Sequence, residues 1–289
     1  MNKGNTPDKP LAVVTGASRG IGAAIAKGLA DNGIHVILVA RTVGGLEELD
    51  NEITRSGGSC TLAPLDLLDF PAIDRLGATI FQRWGKLDIF ISNAAMLGQV
   101  APVNHYDPSI WADVINLNLV ANQRLIRSFD PLLRQSGQGR AIFLSAAVAR
   151  ETAPYWGAYA VSKSGLETMV EIYAKENEKT RLRVNIVDPG ITKTKLRSSA
   201  FPGEDPGNLK KPEQLVPLFL ELCSADCQIH GQFIKYEEAK NFYHSYCPNL
   251  YLFNVYFTLF NSLLIALAAS SRLRNVCSIS FRLRNPRMP

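Results

Sequence analysis

The stretch "TGASRGIG" (residues 15–22) decides the fold of this chain. It follows the apolar run "LAVV" (residues 11–14) and opens a helix-length amphipathic segment, so the sequence predicts a turn between a first strand and a first helix. Gly16 would allow a tight turn there, while Gly20 and Gly22 would let the backbone approach a bound pyrophosphate. Glycine spacing alone is a weak signal, and a tight turn without a ligand is the alternative interpretation.

Short apolar runs alternate with helix-length segments along the rest of the chain. The runs carry Val, Ile, Leu and Phe at consecutive positions, which is typical of strands buried on both faces of a parallel sheet. Seven strands are predicted, at residues 11–15, 35–40, 60–65, 87–92, 140–145, 182–187 and 231–236. Helices are predicted near residues 21–32, 43–56, 70–84, 108–135, 155–179 and 212–224. This order predicts an α/β fold, a doubly wound parallel sheet of the Rossmann type.

Composition and charge divide the chain into two parts. The 46% hydrophobic and 20% charged residues are typical of a globular protein rather than a disordered one. Six of the 31 basic residues, and none of the 26 acidic ones, follow residue 239. We therefore expect a single near-neutral domain at residues 1–239, with no nucleic-acid partner, and a C-terminal extension at residues 240–289.

Cysteine and histidine usage indicates the compartment and argues against a metal site. The five cysteines are scattered and odd in number, which favours a reducing compartment over a disulfide framework. The four histidines lack metal-ligand spacing, and Cys223 and Cys227 lack a partner pair, so no metal is predicted. Residues 1–10 contain no apolar run and predict no secretory signal, so we expect a cytoplasmic protein.

The C-terminal extension contains a stretch that could contact a membrane. Residues 250–269 are mostly apolar and, at 20 residues, about as long as a bilayer is thick. Asn254 and Asn261 interrupt this stretch, and the arginines that follow it would place residues 1–239 outside the cell under the positive-inside rule. Membrane association through residues 250–269 is therefore one hypothesis, and an extension packed on the domain or at an interface is the other.

The end of the second predicted strand favours one dinucleotide. An acidic residue there would hydrogen-bond a ribose 2′-hydroxyl, but Ala40 and Arg41 take its place. Arg19 lies in the glycine loop, and two guanidinium groups suit a 2′-phosphate. The sequence therefore predicts NADP(H) in preference to NAD(H), with two solvated surface arginines as the alternative.

Three motifs together resemble the short-chain dehydrogenase/reductase family. They are the spacing of the three loop glycines, "YAVSK" (residues 159–163) and "DPGITKT" (residues 188–194), and the resemblance covers roughly residues 9–238. It implies an NADP(H)-preferring, bacterial-type oxidoreductase that transfers a hydride between NADP(H) and a carbonyl or alcohol, working as a homodimer or homotetramer. A non-catalytic NADP(H)-binding sensor or scaffold on the same fold is the alternative.

The resemblance implies four catalytic residues. Tyr159 would be the general acid/base, and the Lys163 ammonium one helical turn away would lower its pKa from an ordinary value of about 10. Ser145 would hydrogen-bond the substrate oxygen. Asn118 would support a water chain from the lysine to solvent. The alternatives are a strand-end cap, a helix-interior polar group and a packed tyrosine with a snorkelling lysine.

Further positions are implied as cofactor contacts. Asp66 resembles the residue at the adenine ring, Asn93 and Ala94 the loop along the adenine ribose, and residues 189–194 the segment that fixes the nicotinamide. The full implied set is Gly16, Ser18, Arg19, Gly20, Ile21, Gly22, Arg41, Asp66, Leu67, Asn93, Ala94, Tyr159, Lys163, Pro189, Gly190, Ile191 and Thr194.

Two departures and a long connection mark where this chain differs. Ala95 stands where the family commonly has glycine, so we expect a different local turn, and "YEEA" (residues 236–239) replaces a glycine pair. The Gly/Pro-bearing residues 198–214 are predicted to form a loop that could cover the site. Candidate substrate-facing positions are Met96, Leu97, Arg150, Trp156 and residues 191–210, with Arg150 as an anchor for an anionic group.

Overall fold

The structure, a computed structural model, describes residues 9–239, which form a seven-stranded sheet with flanking helices. The strands are β1 (Leu11–Thr15), β2 (His35–Ala40), β3 (Ser59–Pro64), β4 (Ile89–Ser92), β5 (Arg140–Leu144), β6 (Arg183–Asp188) and β7 (Phe233–Lys235). They lie side by side in the order β3-β2-β1-β4-β5-β6-β7, and every neighbouring pair is parallel. The predicted doubly wound sheet is confirmed, and the chain order reverses between β1 and β4.

Eight α-helices connect the strands within the described residues. They are α1 (Gly20–Asp31), α2 (Val43–Arg55), α3 (Phe70–Trp84), α4 (Pro108–Ile115), α5 (Ala121–Gln135), α6 (Gly157–Glu176), α7 (Lys195–Ala200) and α8 (Val216–Cys223). Among residues 9–239, no helix is at once long and apolar enough to cross a bilayer. The predicted extension at residues 240–289, and the hypothesis of membrane contact through residues 250–269, lie outside the described residues.

The core forms where the apolar runs of the sequence lie in the middle of the sheet. Every residue of β1, β4 and β5 is buried, as expected for strands covered on both faces. The ring of Phe90 meets those of Phe129 and Phe143 edge-on, at centroid distances of 5.2 and 5.5 Å. Each such pair adds about 1 kcal/mol of stability beyond that from burial of the rings. These aromatic contacts therefore hold α5 against the centre of the sheet.

Two predicted segments differ from the observed ones. The helix predicted at residues 108–135 is divided by a π-helical segment, Asn116–Val120, between α4 and α5. Such π-helical bulges are rare in proteins overall, and those that occur are often found at functional sites. The loop predicted at residues 198–214 contains the end of α7 and two 3₁₀ turns, Pro206–Asn208 and Pro212–Leu215. The Thr194 side chain caps α7 by accepting from the amide of Arg197, a local signal that the Gly/Pro content obscured.

A single glycine lets α3 and α5 approach each other closely. A Cβ added at Gly77 would lie 2.0 Å from Ser128 Oγ and 3.2 Å from the Ser128 carbonyl oxygen. Gly44 near the start of α2 offers a contrast, because a Cβ there would meet nothing within 4 Å.

Gly77→Ala is therefore expected to lower the free energy of unfolding by about 1–3 kcal/mol through overpacking, despite the higher helix propensity of alanine. Gly44→Ala is the matched control and is expected to leave stability unchanged or raise it by up to about 1 kcal/mol. Denaturant unfolding of both variants measures the difference. Equal stabilities for the two would mean that α3 and α5 do not pack through Gly77.

Candidate active site

A cavity of about 530 Å³ lies at the carboxyl ends of the strands, where ligands of open parallel sheets bind. It extends from the glycine loop after β1 to the start of α6. All but two of the predicted site residues line it. Those that do are Gly16, Ser18, Arg19, Gly20, Ile21, Arg41, Asp66, Leu67, Asn93, Ala94, Ser145, Tyr159, Lys163, Pro189, Gly190, Ile191 and Thr194. Gly22 and Asn118 lie behind this surface.

The glycine loop is packed against the residues that follow β4. Gly16 has a φ of +65°, in the left-handed region that favours glycine, and a Cβ there would lie 2.7 Å from Asn93 Nδ2. A Cβ at Gly22 would lie only 2.3 Å from the Gly16 carbonyl oxygen. Gly22 therefore serves the packing of loop against helix, while Gly16 and residues 18–21 of the loop line the cavity.

Thr15, at the end of β1, joins the two loops on either side of the strand reversal. Its hydroxyl oxygen accepts the amides of Asn93 and Ala94 at 3.0 and 3.1 Å. The Asn93 side chain in turn donates from Nδ2 to the carbonyl oxygens of Thr15 (2.9 Å) and Gly16 (3.2 Å). Asn93 thus shapes the cavity wall through its side chain. Sequence reasoning missed Thr15, although a hydroxyl at the end of a buried strand is a usable signal.

The donors at the start of α1 suit a pyrophosphate. Arg19, the N-cap residue, provides no side-chain cap, so the first-turn amides of α1 are not satisfied by a cap. Two of these amides belong to Gly20 and Ile21, which line the cavity, and the helix dipole favours an anion there. The chemistry of this donor set fits a dinucleotide pyrophosphate.

The predicted 2′-phosphate contact lies at the rim of the same cavity. The Arg41 side chain is 64% exposed, and its Nη1 lies 3.7 Å from Asp66 Oδ2. An ion pair this long and exposed contributes little, so the guanidinium is available to an anion. Asp66 also accepts the amide of Leu68 at 3.0 Å, which fixes the turn after β3.

Tyr159 and Lys163 are both buried on α6, with exposures of 7% and 3%. Lys163 Nζ donates to the Leu144 carbonyl at 2.8 Å and lies 5.9 Å from the centre of the Tyr159 ring. Burial lowers the pKa of Lys163 to about 8, although the charge of Glu167 partly opposes this.

The pKa of Tyr159 shifts in the direction opposite to the one predicted from its neighbour lysine. Burial, and after it the charge of Asp188, raises this pKa above the ordinary value. The ammonium is engaged with a carbonyl and does not outweigh these effects. The phenol of this structure is therefore neutral near pH 7, in the form that donates a proton.

Ser145 follows β5, and its amide donates to the Val187 carbonyl at 2.8 Å. Its hydroxyl donates to Glu167 Oε1. Glu167, which sequence reasoning missed, is 5% exposed and accepts from Arg150 Nε at 2.8 Å. The signal was available, because Tyr159, Lys163 and Glu167 follow each other at intervals of four residues and so share one face of α6.

Asn118 lies in the π-helical segment and is fully buried. Its side chain accepts the Met96 amide at 2.9 Å and donates to the Met96 carbonyl at 2.9 Å and to Ser162 Oγ at 3.0 Å. Ser162 in turn donates to the Tyr159 carbonyl at 2.8 Å. Asn118 thus ties the loop after β4 to the helix of Tyr159. Its predicted part in a water chain stays a prediction.

The two departures from the family pattern are accommodated differently. Ala95 lines the cavity without backbone strain, since Tyr155 (φ +74°) is the single non-glycine residue with positive φ in the described part of the chain. The prediction of a different local turn at Ala95 stays a prediction. Glu237, in the segment that replaces the glycine pair, pairs with Lys210 at 2.5 Å and so holds the connection that follows α7.

The substrate end of the cavity is mainly apolar. Met96, Leu97 and Trp156 line it, and the Trp156 ring lies 6.0 Å from that of Tyr159 and 5.7 Å from that of Phe201. Arg150, expected to anchor an anionic group, is absent from the lining. It pairs with Glu167 and stacks 3.6 Å from the centre of the Phe233 ring. The structure does not support Arg150 as a substrate anchor.

Known proteins resemble the chain in both sequence and structure. The sequence matches the family described as short chain dehydrogenase over residues 10–205. It is 38% identical over 219 residues to the uncharacterized oxidoreductase YciK of Escherichia coli K12. The aligned residues cover 75% of this chain and 86% of that protein.

Two crystal structures share the fold. A short chain dehydrogenase from Salmonella enterica serovar Typhi CT18 is 35% identical with a TM-score of 0.76, covering 78% of this chain and 95% of its own. A short chain dehydrogenase from Shigella flexneri 2a, complexed with NADP, is 35% identical with a TM-score of 0.75, covering 82% of this chain and 100% of its own. The family match, the parallel sheet and these relatives agree: the chain belongs to the short-chain dehydrogenase/reductase family of oxidoreductases.

Proposed function

We propose that this chain transfers a hydride between NADP(H) and a carbonyl or alcohol substrate, with Tyr159 as the general acid/base. One observation carries the proposal. The buried Tyr159 and Lys163, together with Ser145, line the same cavity as the glycine loop. A cofactor held by the loop would therefore share a cavity with a proton donor.

NADP(H) is the cofactor that the donor set fits. The first-turn amides of α1 would hold the pyrophosphate, and Arg19 and Arg41 would hold the 2′-phosphate. The Shigella flexneri relative complexed with NADP supports this choice. When bound, NADP(H) supplies or takes up the hydride at the substrate carbon.

The side chains of the chain itself would manage the substrate oxygen and its proton. The neutral phenol of Tyr159 donates a proton to a carbonyl oxygen, or takes one back from an alcohol. The charged form of Lys163 favours the phenolate that remains after the donation. Ser145 hydrogen-bonds the same oxygen and holds it beside Tyr159.

The cavity lining favours a class of substrate, and the exposed face of α6 favours an oligomer. The apolar lining formed by Met96, Leu97 and Trp156 favours a small molecule with an apolar body beside its carbonyl or alcohol. Val161 and Ile172 on α6 are 51% and 52% exposed, which supports pairing of this helix in a homodimer or homotetramer.

Tyr159→Phe tests the proposed acid. We expect kcat for NADPH-dependent reduction, measured on a panel of ketones and oxoacyl thioesters, to fall by about 10²- to 10⁴-fold. The dissociation constant of NADPH, measured by fluorescence titration, is expected to stay within about threefold, because the ring is kept.

Tyr173→Phe is the matched control for this experiment. It removes another buried phenol from α6. The Tyr173 hydroxyl donates to Asp130 Oδ1 at 2.7 Å, and Tyr173 does not line the cavity. Its kcat should equal that of the natural chain. Turnover that is indifferent to Tyr159→Phe would assign the proton to another group, and NADPH binding without any turnover would favour a dinucleotide sensor.

Arg41→Ala tests the preference for NADP(H). Loss of a charge-assisted contact to the 2′-phosphate is expected to raise the dissociation constant of NADPH by about tenfold or more and to leave that of NADH nearly unchanged. Arg55→Ala, an exposed arginine at the end of α2, is the control and should alter neither constant. Equal weakening of both dinucleotides would contradict recognition of the phosphate by Arg41.

Lys163→Met tests the buried ammonium without any substrate. Burial lowers the pKa of Lys163 to about 8 from an ordinary 10.5. At pH values between these two, the lysine is protonated in the unfolded chain and mostly neutral in the folded chain. Stability of the natural chain relative to Lys163→Met should therefore rise by about 2 kcal/mol between about pH 7.5 and about pH 10. Denaturant unfolding of both chains measures this. A constant difference would mean that the lysine keeps its ordinary pKa in the fold.

A further inference from the structure

Asp188 is a buried carboxylate of the cavity that the proposed chemistry does not use. It is the last residue of β6, is 5% exposed and lines the cavity. Its Oδ1 accepts the Gly190 amide at 2.9 Å, but nothing among residues 9–239 donates to Oδ2. That oxygen is not sealed in the core, because Glu221 Oε2 is the single buried side-chain polar atom without a partner in the described chain. Oδ2 of Asp188 therefore opens into the cavity.

The register of the sheet places Asp188 beside the reacting groups. Leu144 of β5 pairs with Val187 of β6, and the Ser145 amide continues this ladder by donating to the Val187 carbonyl at 2.8 Å. Neighbouring strands lie about 4.8 Å apart, so Asp188 follows directly beside Ser145. The charge of Asp188 also acts on Tyr159, whose pKa it raises in addition to the effect of burial. Asp188 thus borders the place where the substrate oxygen would lie.

The groups that face Asp188 act on its pKa in both directions. Burial raises the pKa of this carboxyl, and the charge of Glu151 also raises it. The Gly190 amide and the charges of Lys235 and Lys210 lower it. A further positive charge in the cavity would act in the same direction as these lysines and favour the carboxylate form.

The two lysines do not neutralise Asp188, because each has a carboxylate of its own. Lys210 pairs with Glu237 at 2.5 Å, and Lys235 pairs with Glu238 at 3.2 Å. Neither lysine lies within ion-pair distance of Asp188. A carboxylate that is buried without a cation is costly, and a cation brought to it by a ligand would remove that cost.

The other cations near this part of the cavity are engaged or lie toward the glycine loop. Lys163 donates to a carbonyl of β5, and Arg197 is held by both carboxylate oxygens of Glu204 at 2.6 Å. Lys195 begins α7, whose N-cap side chain lies 3.5 Å from the position of a Cβ at Gly20. Lys195 thus lies near the proposed pyrophosphate. Asp188 therefore keeps an unbalanced negative charge among the described residues.

The aromatic lining of the cavity suits a particular kind of cation. Trp156 lines the cavity, and its ring lies 6.0 Å from that of Tyr159. Ring faces attract ammonium groups, tryptophan most strongly, and the attraction grows when the cation is desolvated. An alkylated ammonium presents carbon to the apolar lining and charge to the carboxylate, so it matches both features of this cavity.

We propose that Asp188 is a specificity-determining residue that selects substrates with an ammonium group close to their carbonyl or alcohol, and that it pairs with this group. The inference rests on the proposed function and names the class of substrate for the same site. In a cavity that excludes water, the attraction between carboxylate and ammonium is stronger than in solution. The ammonium would also offset the effect of Asp188 on Tyr159, so that the phenolate forms more readily.

Two ketones that differ only in charge test the proposal. They are trimethylammonioacetone and its neutral isostere methyl neopentyl ketone, in which carbon replaces the nitrogen. The ratio of their kcat/KM values with NADPH measures the preference for the cation. We expect the natural chain to prefer the cation by about tenfold or more. The ratio cancels any effect that is common to both ketones, such as a change in the pKa of Tyr159.

Asp188→Asn removes the charge and keeps an acceptor oxygen for the Gly190 amide, so the turn after β6 is retained. In this variant the ratio should fall to within about threefold of unity. Glu151→Gln is the matched control, because Glu151 is exposed and does not line the cavity although its charge also reaches Asp188. This control should keep the ratio of the natural chain.

A ratio near unity in the natural chain would overturn the proposal, and so would a preference that survives Asp188→Asn. An equal loss of preference in Glu151→Gln would also overturn it, because the general negative field of the region, rather than Asp188, would then select the cation.

Binding of β-methylcholine, the alcohol that corresponds to trimethylammonioacetone, gives a readout that needs no turnover. Isothermal titration is carried out in the presence of NADPH, with which this alcohol does not react. We expect its dissociation constant to rise by about tenfold or more in Asp188→Asn and to stay unchanged in Glu151→Gln. No binding to the natural chain, or equal binding to Asp188→Asn, would overturn the proposal. If the natural chain bound NADPH but reduced no ketone, the proposed function would fail, while β-methylcholine would still show whether Asp188 pairs with a cation.

Discussion

The rest of the site depends on the junction that Thr15 and Asn93 make between the ends of β1 and β4. These strands lie side by side where the order of the sheet reverses, and the loops that leave them both line the cavity. Reciprocal hydrogen bonds hold the two loops at one spacing. Because Gly16 has no Cβ, Asn93 can reach two carbonyls of the opposite loop. A Cβ at Gly16 would lie 2.7 Å from Asn93 Nδ2, so a larger residue there would displace the side chain that joins the two loops.

Most of the fold could be predicted because its strands are buried on both faces. A continuous apolar run such as residues 35–40 has no other stable place than the inside of a parallel sheet, and β2 has those bounds. The π-helical segment at Asn116–Val120 could not be predicted from apolar spacing. It depends on tertiary contacts, in which the Asn118 side chain bonds the backbone of Met96 and so draws the helix toward the loop after β4.

The candidate site was predictable in its residues but not in the contacts between them. Tyr159, Lys163 and Ser145 could be selected because the sequence motifs resemble those of the family, which places the serine at a strand end and the other two one helical turn apart. The partner of each depends on burial, which a sequence does not give. Lys163 is engaged by a carbonyl of β5 rather than by the phenol, and Arg150 faces a buried carboxylate rather than the cavity. The pKa of Tyr159 shifts upward for the same reason, because desolvation outweighs a lysine whose charge is directed elsewhere.

Helix α6 contributes both to the core and to the site. One of its faces buries a phenol, an ammonium and a carboxylate at Tyr159, Lys163 and Glu167, where a helix of pure structural role would place aliphatic side chains. The two charged groups are tolerated through specific partners. Lys163 has the Leu144 carbonyl, and Glu167 has Ser145 and Arg150. Since these partners come from β5 and from the residues just after it, the helix cannot shift along the sheet without leaving a buried charge unpaired. The polar face thus fixes the register between α6 and β5, and this register sets the place of Tyr159 in the cavity.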